Sequence, residues 1–434
     1  MNHPPPPRSP LPLLLWLGAI FFVVYAALVP LQFQPRPLDE AWALFKNIPY
    51  VDLTTDLHAD LIANGVLYIP VAFFSVLLLR QRFSPAPTLY LVLAAGLFSA
   101  ALAPTIEWAQ VFFPPRTVKL NDILSEWLGS LLGLALAARY ASAFLRLLSA
   151  FGPDPQRLRR RLLDAYALVY LGFSLFPFDL MLSWSDWEGK LHSNHWGWLL
   201  AGAFPGGWRV LLQGLAEILL TVPLGVWLVR LSVLTPTHYL TAALFGLLMG
   251  AGIEVAQFFL YSGMSQGASA VSRALGVCGG VALYPHGHLS ADQLRGFVKR
   301  YWQPLAPVYL FALLFINHWW GGRWRGWGFA AAQWAQVNFV PLYYHYYAGE
   351  AQALLSLLVV GASYAPLSLL GWAYRWRCSR VLGATLVLVA VVEGGKLFLQ
   401  PGLPDPSNLW LACAANALTL GLLRQLFRKA APAA

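Results

Sequence analysis

The sequence predicts an all-α polytopic membrane protein, and three observations lead there. Of its 434 residues 58% are hydrophobic and 11% charged, whereas soluble domains carry about 45–50% and about 25%. Mean hydropathy is +0.57. Apolar runs of about 20 residues, the length that crosses a bilayer, recur from residue 11 to residue 424. A β-barrel would alternate polar and apolar residues in short strands, and these long Leu/Ala/Val/Phe runs do not. The polar stretches between them are too short to bury a soluble core.

Taken in order, about twelve spans are expected near 11–31, 60–79, 88–109, 120–138, 163–182, 209–229, 238–260, 267–284, 303–320, 349–372, 381–399 and 406–424. The first has a basic flank but no clear small-x-small cleavage site, so it is expected to stay as a helix. The spans group in fours. Residues 1–10 read as a Pro-rich cytoplasmic tail, 11–140, 163–285 and 303–424 as three four-helix units, 141–162 and 286–302 as basic linkers, and 425–434 as a second tail.

Alternate loops sort the charge. One set holds 19 of the 29 basic residues, including Arg80, Arg157, Arg159, Arg160, Arg161, Arg295 and Arg375, against the acids Asp154, Asp164 and Asp292. Lys and Arg in short loops mark the cytoplasmic side, so both termini are expected there, in the inner membrane. The net charge of +10 is then a topology signal, and no nucleic-acid partner is expected. Cys278, Cys378 and Cys413 are too few and too scattered for a disulfide framework or a zinc cluster. Neither a metal nor a cofactor is expected.

The third, seventh and eleventh spans carry related text: Glu107-Trp-Ala-Gln110, Glu254-Val-Ala-Gln257 and Glu393-Gly-Gly-Lys396. Counting from each Glu, the ninth residue is Arg116, Gly263 or Gly402, and the fifteenth is Asp122, Ser269 or Asn408. The twenty-second and twenty-sixth are Gly129 and Gly133, Gly276 and Gly280, or Ala415 and Thr419. Upstream, Asn64 precedes Pro70 by six residues and Glu217 precedes Pro223 by six, with Val360 at the matching place before Pro366. No gaps are needed, and the order of spans is the same each time. Parallel repeats made by duplication are expected.

Glu107-x-x-Gln110, Pro115-Arg116, Asp122 and Gly129-x-x-x-Gly133, preceded by Asn47-Ile-Pro49-Tyr and Asn64-Gly-Val-Leu-Tyr-Ile-Pro70, resemble the VanZ-like family of bacterial membrane proteins. The first segment matches best. The second puts Gly263 where the Arg belongs, and the third has Lys396 for Gln and no Arg. The first departs too, with Glu126 where the family usually has Asn and Lys119 where it often has Asp. The family takes its name from a member that lowers susceptibility to teicoplanin. The resemblance therefore implies a cell-envelope role, and no reaction.

Ionisable residues inside spans usually face protein or water and have partners. Glu107 and Gln110 share a helix face near the outer surface, with Arg116 and Asp122 just across a tight turn. An outward-facing polar pocket is expected from Asn64, Glu107, Gln110, Arg116, Asp122 and Glu126, with Glu217, Glu254, Gln257, Glu393 and Lys396 as weaker equivalents. Arg116 suits an anion receptor, or it braces the turn by pairing with Glu107 or Asp122. Lys396 is expected to pair locally with Glu393. The Trp-, Tyr- and His-rich segments at 184–208 and 317–347 read as an aromatic belt or as a stacking surface for sugars. The leading expectation is a non-enzymatic protein that binds or handles a lipid-linked or glycan envelope molecule. A secondary transporter, a membrane enzyme acting on an isoprenoid phosphate and an assembly scaffold are the alternatives. The bilayer is the one partner implied directly.

Overall fold

The computed structural model describes residues 10–51, 55–83, 86–114, 116–149, 155–176, 179–181, 183–202, 207–235, 238–284, 290–346 and 350–428. Arg8, Pro115, Asp154 and Lys429 lie outside the described residues, as does most of both predicted tails. The chain is an all-α polytopic membrane protein.

The first segment comprises α1 (Leu11–Leu28), α2 (Leu38–Lys46), α3 (Thr55–Arg82), α4 (Thr88–Gln110) and α5 (Leu120–Ser149). The second comprises α6 (Pro155–Ser174), α7 (Trp184–His192), α8 (Trp208–Arg230), α9 (Tyr239–Phe258) and α10 (Gly267–Leu283). The third comprises α11 (Ala291–Ile316), α12 (Trp327–Trp334), α13 (Tyr343–Tyr346), α14 (Glu350–Ala373), α15 (Cys378–Lys396) and α16 (Ser407–Leu426). Four two-residue strands tie loops together: β1 (Trp196–Gly197) runs parallel to β2 (Ser265–Gln266), and β3 (Arg323–Trp324) antiparallel to β4 (Leu399–Gln400). The chain folds as two compact units, Met1–Gly152 with Arg160–His286, and Pro153–Arg159 with Gly287–Ala434.

Nine helices are long and apolar enough to cross a membrane among the described residues: α1, α3 from Leu61, α4, α5 to Leu145, α8 from Val210, α9, α14 from Gln352, α15 and α16. The other three expected spans also fall on helices but differ from the reading. α6 stops at Ser174, short of the expected 182, because Pro177 follows and the residue before a proline is driven out of helix. Its first turns carry Arg157, Arg159, Arg160 and Arg161. α10 is 17 residues long. α11 ends at Ile316, where Asn317 closes the helix and His318 turns to a φ of 60°.

Helix pairs meet at glycine. In the α3–α5 pair a Cβ on Gly129 would strike the Gly65 carbonyl, and one on Gly133 the Ile69 carbonyl. The α8–α10 pair repeats this, with Gly276 against Thr221 and the Ile218 carbonyl, and Gly280 against the Val222 carbonyl. The two Gly-x-x-x-Gly stripes thus set backbone against backbone. Where the third segment has Ala415 and Thr419 instead, Ser368 of α14 donates to the Asn416 carbonyl of α16 at 2.9 Å. Outward faces are apolar, with Leu97, Leu128, Leu168 and Leu240 exposed, as a lipid-facing surface requires. In the first segment Val23, Tyr68, Val71, Ala103 and Ile106 pack into a buried cluster from α1, α3 and α4. Glu107 follows directly on α4.

Candidate functional site

Helical spacing assembles the first-segment site. Glu107 and Gln110 close α4 one turn apart, Asp122 and Glu126 occupy the first turns of α5, and Asn64 and Tyr68 lie one turn apart on α3. Gln110 Nε2 donates to Glu107 Oε1 at 2.7 Å, and Asn64 Nδ2 to Asp122 Oδ1 at 2.9 Å. Glu107, Gln110, Asp122 and Glu126 are all buried. The four side chains thus form a buried cluster. Arg116 sends its Nε to the Ala27 carbonyl at 2.7 Å and a terminal nitrogen to the Ala26 carbonyl. A cation is favoured at such a helix C-terminus, so the fork caps α1, a role the sequence reading did not assign it.

The second segment compensates its glutamate differently. Glu254 is paired with Arg273 of α10, both buried, and Arg273 Nε reaches the Tyr170 hydroxyl at 3.2 Å. The sequence reading missed Arg273. It stands in the Gly-rich apolar run of α10, nineteen residues after Glu254, as Glu126 stands nineteen after Glu107. That offset was the available signal. Gln257 donates to the Ser174 carbonyl at 2.8 Å. Ser269 joins Glu217 at 2.7 Å, the counterpart of Asn64 with Asp122. Outside the spans, Lys190 is buried and donates to the carbonyls of Leu260, Tyr261 and Gly263. Burial pushes its amine down from the ordinary value, with Asp179 opposing.

In the third segment Lys396 Nζ and Asn408 Nδ2 both reach Glu393 Oε1 at 2.8 Å. The expected local pair forms. Asp405, in the loop before α16, receives Ser407 N at 2.8 Å on Oδ1 and has His345 Nε2 3.2 Å from Oδ2. Burial works to raise the Asp405 carboxyl, but the bonds from His345 and Ser407 outweigh it and hold the group below its usual range.

Two main-chain features recur at fixed offsets. The fifth residue after each glutamate is a Phe whose carbonyl accepts from the loop following the segment's first helix: Gln34 N to Phe112 O at 2.8 Å, Met181 N to Phe259 O at 3.0 Å, and Arg325 N to Phe398 O at 2.7 Å. The N–H of the twelfth residue is turned to the glutamate carboxylate. Gln266 N donates to Glu254, and Asp405 N donates to Glu393 Oε2 at 2.9 Å. In the first segment Lys119 N–H faces Glu107, yet Glu107 Oε2 lacks a full hydrogen bond among the described residues.

The VanZ/LLP1 family model matches residues 12–146. This stretch is a VanZ-like domain. No curated protein and no solved structure matches the chain. The match covers the first segment, where Glu107, Gln110, Arg116 and Asp122 occur together. In the VanZ-like domain Glu126 stands at the offset of Arg273 and Gln110 at that of Lys396. Among the described residues no group of three His, Cys, Asp or Glu side chains is arranged to hold a metal.

On the other side of the α3–α5 seam the VanZ-like domain has an open groove of about 480 Å3. Ile62, Val66, Ile69, Leu124, Leu128 and Leu132 line its length, while Tyr50 and Asn121 mark one end. Asn121 is fixed there by a double hydrogen bond with the Val51 backbone, at 2.9 and 3.0 Å.

Proposed function

We propose that the VanZ-like domain binds an amphipathic molecule of the bacterial cell envelope, lipid-linked or glycan-bearing, with its apolar chain along the α3–α5 groove. The observation that carries this reading is the groove itself: a long apolar trough on membrane-spanning helices whose polar side chains, Tyr50, Asn121 and Ser125, gather toward one end. Its size matches ordinary ligand sites. In this reading both termini are cytoplasmic, and Tyr50 and Asn121 lie at the outer membrane interface, where a headgroup sits.

Native mass spectrometry of gently purified protein tests it. A lipid adduct is expected on the parent and on Leu97→Trp, and its loss in Val66→Trp, which fills the groove. An adduct retained equally in both variants, or absent from the parent, rejects the reading. The enclosed carboxyl cluster favours a second reading, secondary transport coupled to a cation.

A further inference from the structure

We propose that the turn between α14 and α15 binds the phosphate-bearing headgroup of an anionic phospholipid. Tyr374, Arg375, Trp376, Arg377, Ser379 and Arg380 line an open cleft of about 460 Å3 there. The site belongs to the third segment and is independent of the α3–α5 groove. Its charge is one-sided. Arg375, Arg377 and Arg380 are exposed, and no ion pair reaches them among the described residues. Lys299 adds a further cation, its Nζ 5.2 Å from the Tyr374 ring centre, and Arg424 another, bonded to the Trp376 carbonyl at 2.8 Å. No Asp or Glu lies between Glu350 and Glu393, and Asp292 of α11 is taken by Arg295 at 3.5 Å. Guanidinium forks match phosphate oxygens in pairs.

The counterpart turns of the other segments separate this cluster from a plain topology signal. Residues 83–87 before α4 and 231–238 before α9 hold no Lys or Arg. Their basic residues, Arg80, Arg82 and Arg230, stand in the last turn of the preceding helix, where the helix dipole favours a cation. In the third segment the last turn of α14 has no basic residue. The arginines are moved instead to the start of α15, with Arg377 as its N-cap, Arg380 in its first turn and no acid beside them. Cations at that end oppose the dipole, and an anion relieves the conflict. A lipid suits the place better than free phosphate. The cleft closes two membrane-spanning helices and is flanked by Tyr374 and Trp376, aromatics of the kind that sit at headgroup level. Arg380 lies over the Trp376 ring at 4.8 Å, which holds its guanidinium at the cleft. Farther along α15, Leu386 and Val387 are exposed and offer an apolar track for an acyl chain.

The experiment uses the full-length protein in a neutral detergent, as parent and as two triple variants. One carries Arg375→Gln, Arg377→Gln and Arg380→Gln. The other removes equal charge elsewhere, with Arg80→Gln, Arg82→Gln and Arg139→Gln. Melting is recorded against added phosphatidylglycerol, phosphatidylcholine with the same chains, or inorganic phosphate. Phosphatidylglycerol is expected to raise the melting temperature of the parent and of the second variant more than phosphatidylcholine does. The first variant should need about tenfold more phosphatidylglycerol, or more, for the same rise. Phosphate alone should give no rise. If the first variant fails to fold, Arg377→Gln decides, by a shift of about fivefold. The proposal is overturned if phosphatidylglycerol has no advantage over phosphatidylcholine in the parent, or if the α14–α15 substitutions leave that advantage intact. An equal loss in the second variant overturns it as diffuse charge, and a rise with phosphate alone overturns it in favour of a free anion.

Discussion

Arg273 and Glu254 form a buried ion pair between α10 and α9, and the pair occupies the register that Glu126 and Glu107 occupy in the VanZ-like domain. A charge removed from one side of such a pair leaves the other uncompensated, which costs about 3–5 kcal/mol. Arg273→Met is expected to lower stability by about that amount. Arg273→Met with Glu254→Leu should recover much of the loss, because replacing both charges by apolar groups is often neutral. Thermal melts of the single and double variants check this. A double variant as unstable as Arg273→Met would mean that the pair does not act as a unit.

Arg116 caps the carbonyl end of α1 with a planar fork. Hydrogen bonds from a charged group contribute about 1.5–3 kcal/mol, so Arg116→Ala is expected to destabilise the VanZ-like domain by that order. Arg116→Lys keeps the charge, loses the two-pronged geometry and should fall between. Melting temperatures in detergent give the ranking. A parent-like melt for Arg116→Ala, with loss of a co-purified ligand, would instead make Arg116 a receptor for that ligand.

At Gly129 a Cβ meets main chain that cannot swing aside. Gly129→Ala is therefore expected to push α3 and α5 apart, at a cost of about 1–3 kcal/mol or more. Gly172→Ala and Gly252→Ala, where a Cβ meets open space, should be near neutral. Equal expression and melting for all three would remove the seam from the account of stability.

Asp405 gives a pH dependence with a defined sign. Its folded-state carboxyl is held below the ordinary value of about 3.9. Its contribution is therefore present above that value and is lost as pH falls through the lower folded one. Acid titration of melting temperature should show this decline in the parent and a shallower one in Asp405→Asn. Superimposable acid limbs would show that Asp405 has no part in it.

Orientation is open to direct measurement. Single cysteines at Arg157 and Arg160 are expected to label only from the cytoplasmic side, and cysteines at His192 and His195 only from outside. The reverse pattern would invert the chain and place the Tyr50–Asn121 end of the groove in the cytoplasm.

Membrane class and helix positions were legible because apolar length is a local property. The glycine seams were legible because their spacing is fixed by the helix itself. The pairing of Lys396 with Glu393 followed from a register visible in the text, whereas Asn64 and Asp122 were read only as members of one pocket and their hydrogen bond was not foreseen. Arg273 was not foreseen, because its neighbours in sequence are all small or apolar and its partner lies on another helix. Arg116 was placed correctly at the turn, but the α1 carbonyls it caps are about ninety residues away. The enclosure of Glu107 and Glu126 depends on how α3, α4 and α5 close together, which spacing along one chain does not encode.

The hydrogen bonds to Phe112, Phe259 and Phe398 have a consequence for how this architecture is detected. A carbonyl accepts an N–H whatever side chain the donor residue carries, so Gln34, Met181 and Arg325 serve equally well. The frame is thus written in main-chain bonds that substitution barely touches, while the interior holds buried acids in the first segment, an ion pair in the second and a lysine clamp in the third. The family match ends at residue 146, whereas the bonding pattern continues to residue 405. The likeness among these helical segments thus lies in carbonyl-to-amide offsets as much as in residue identity.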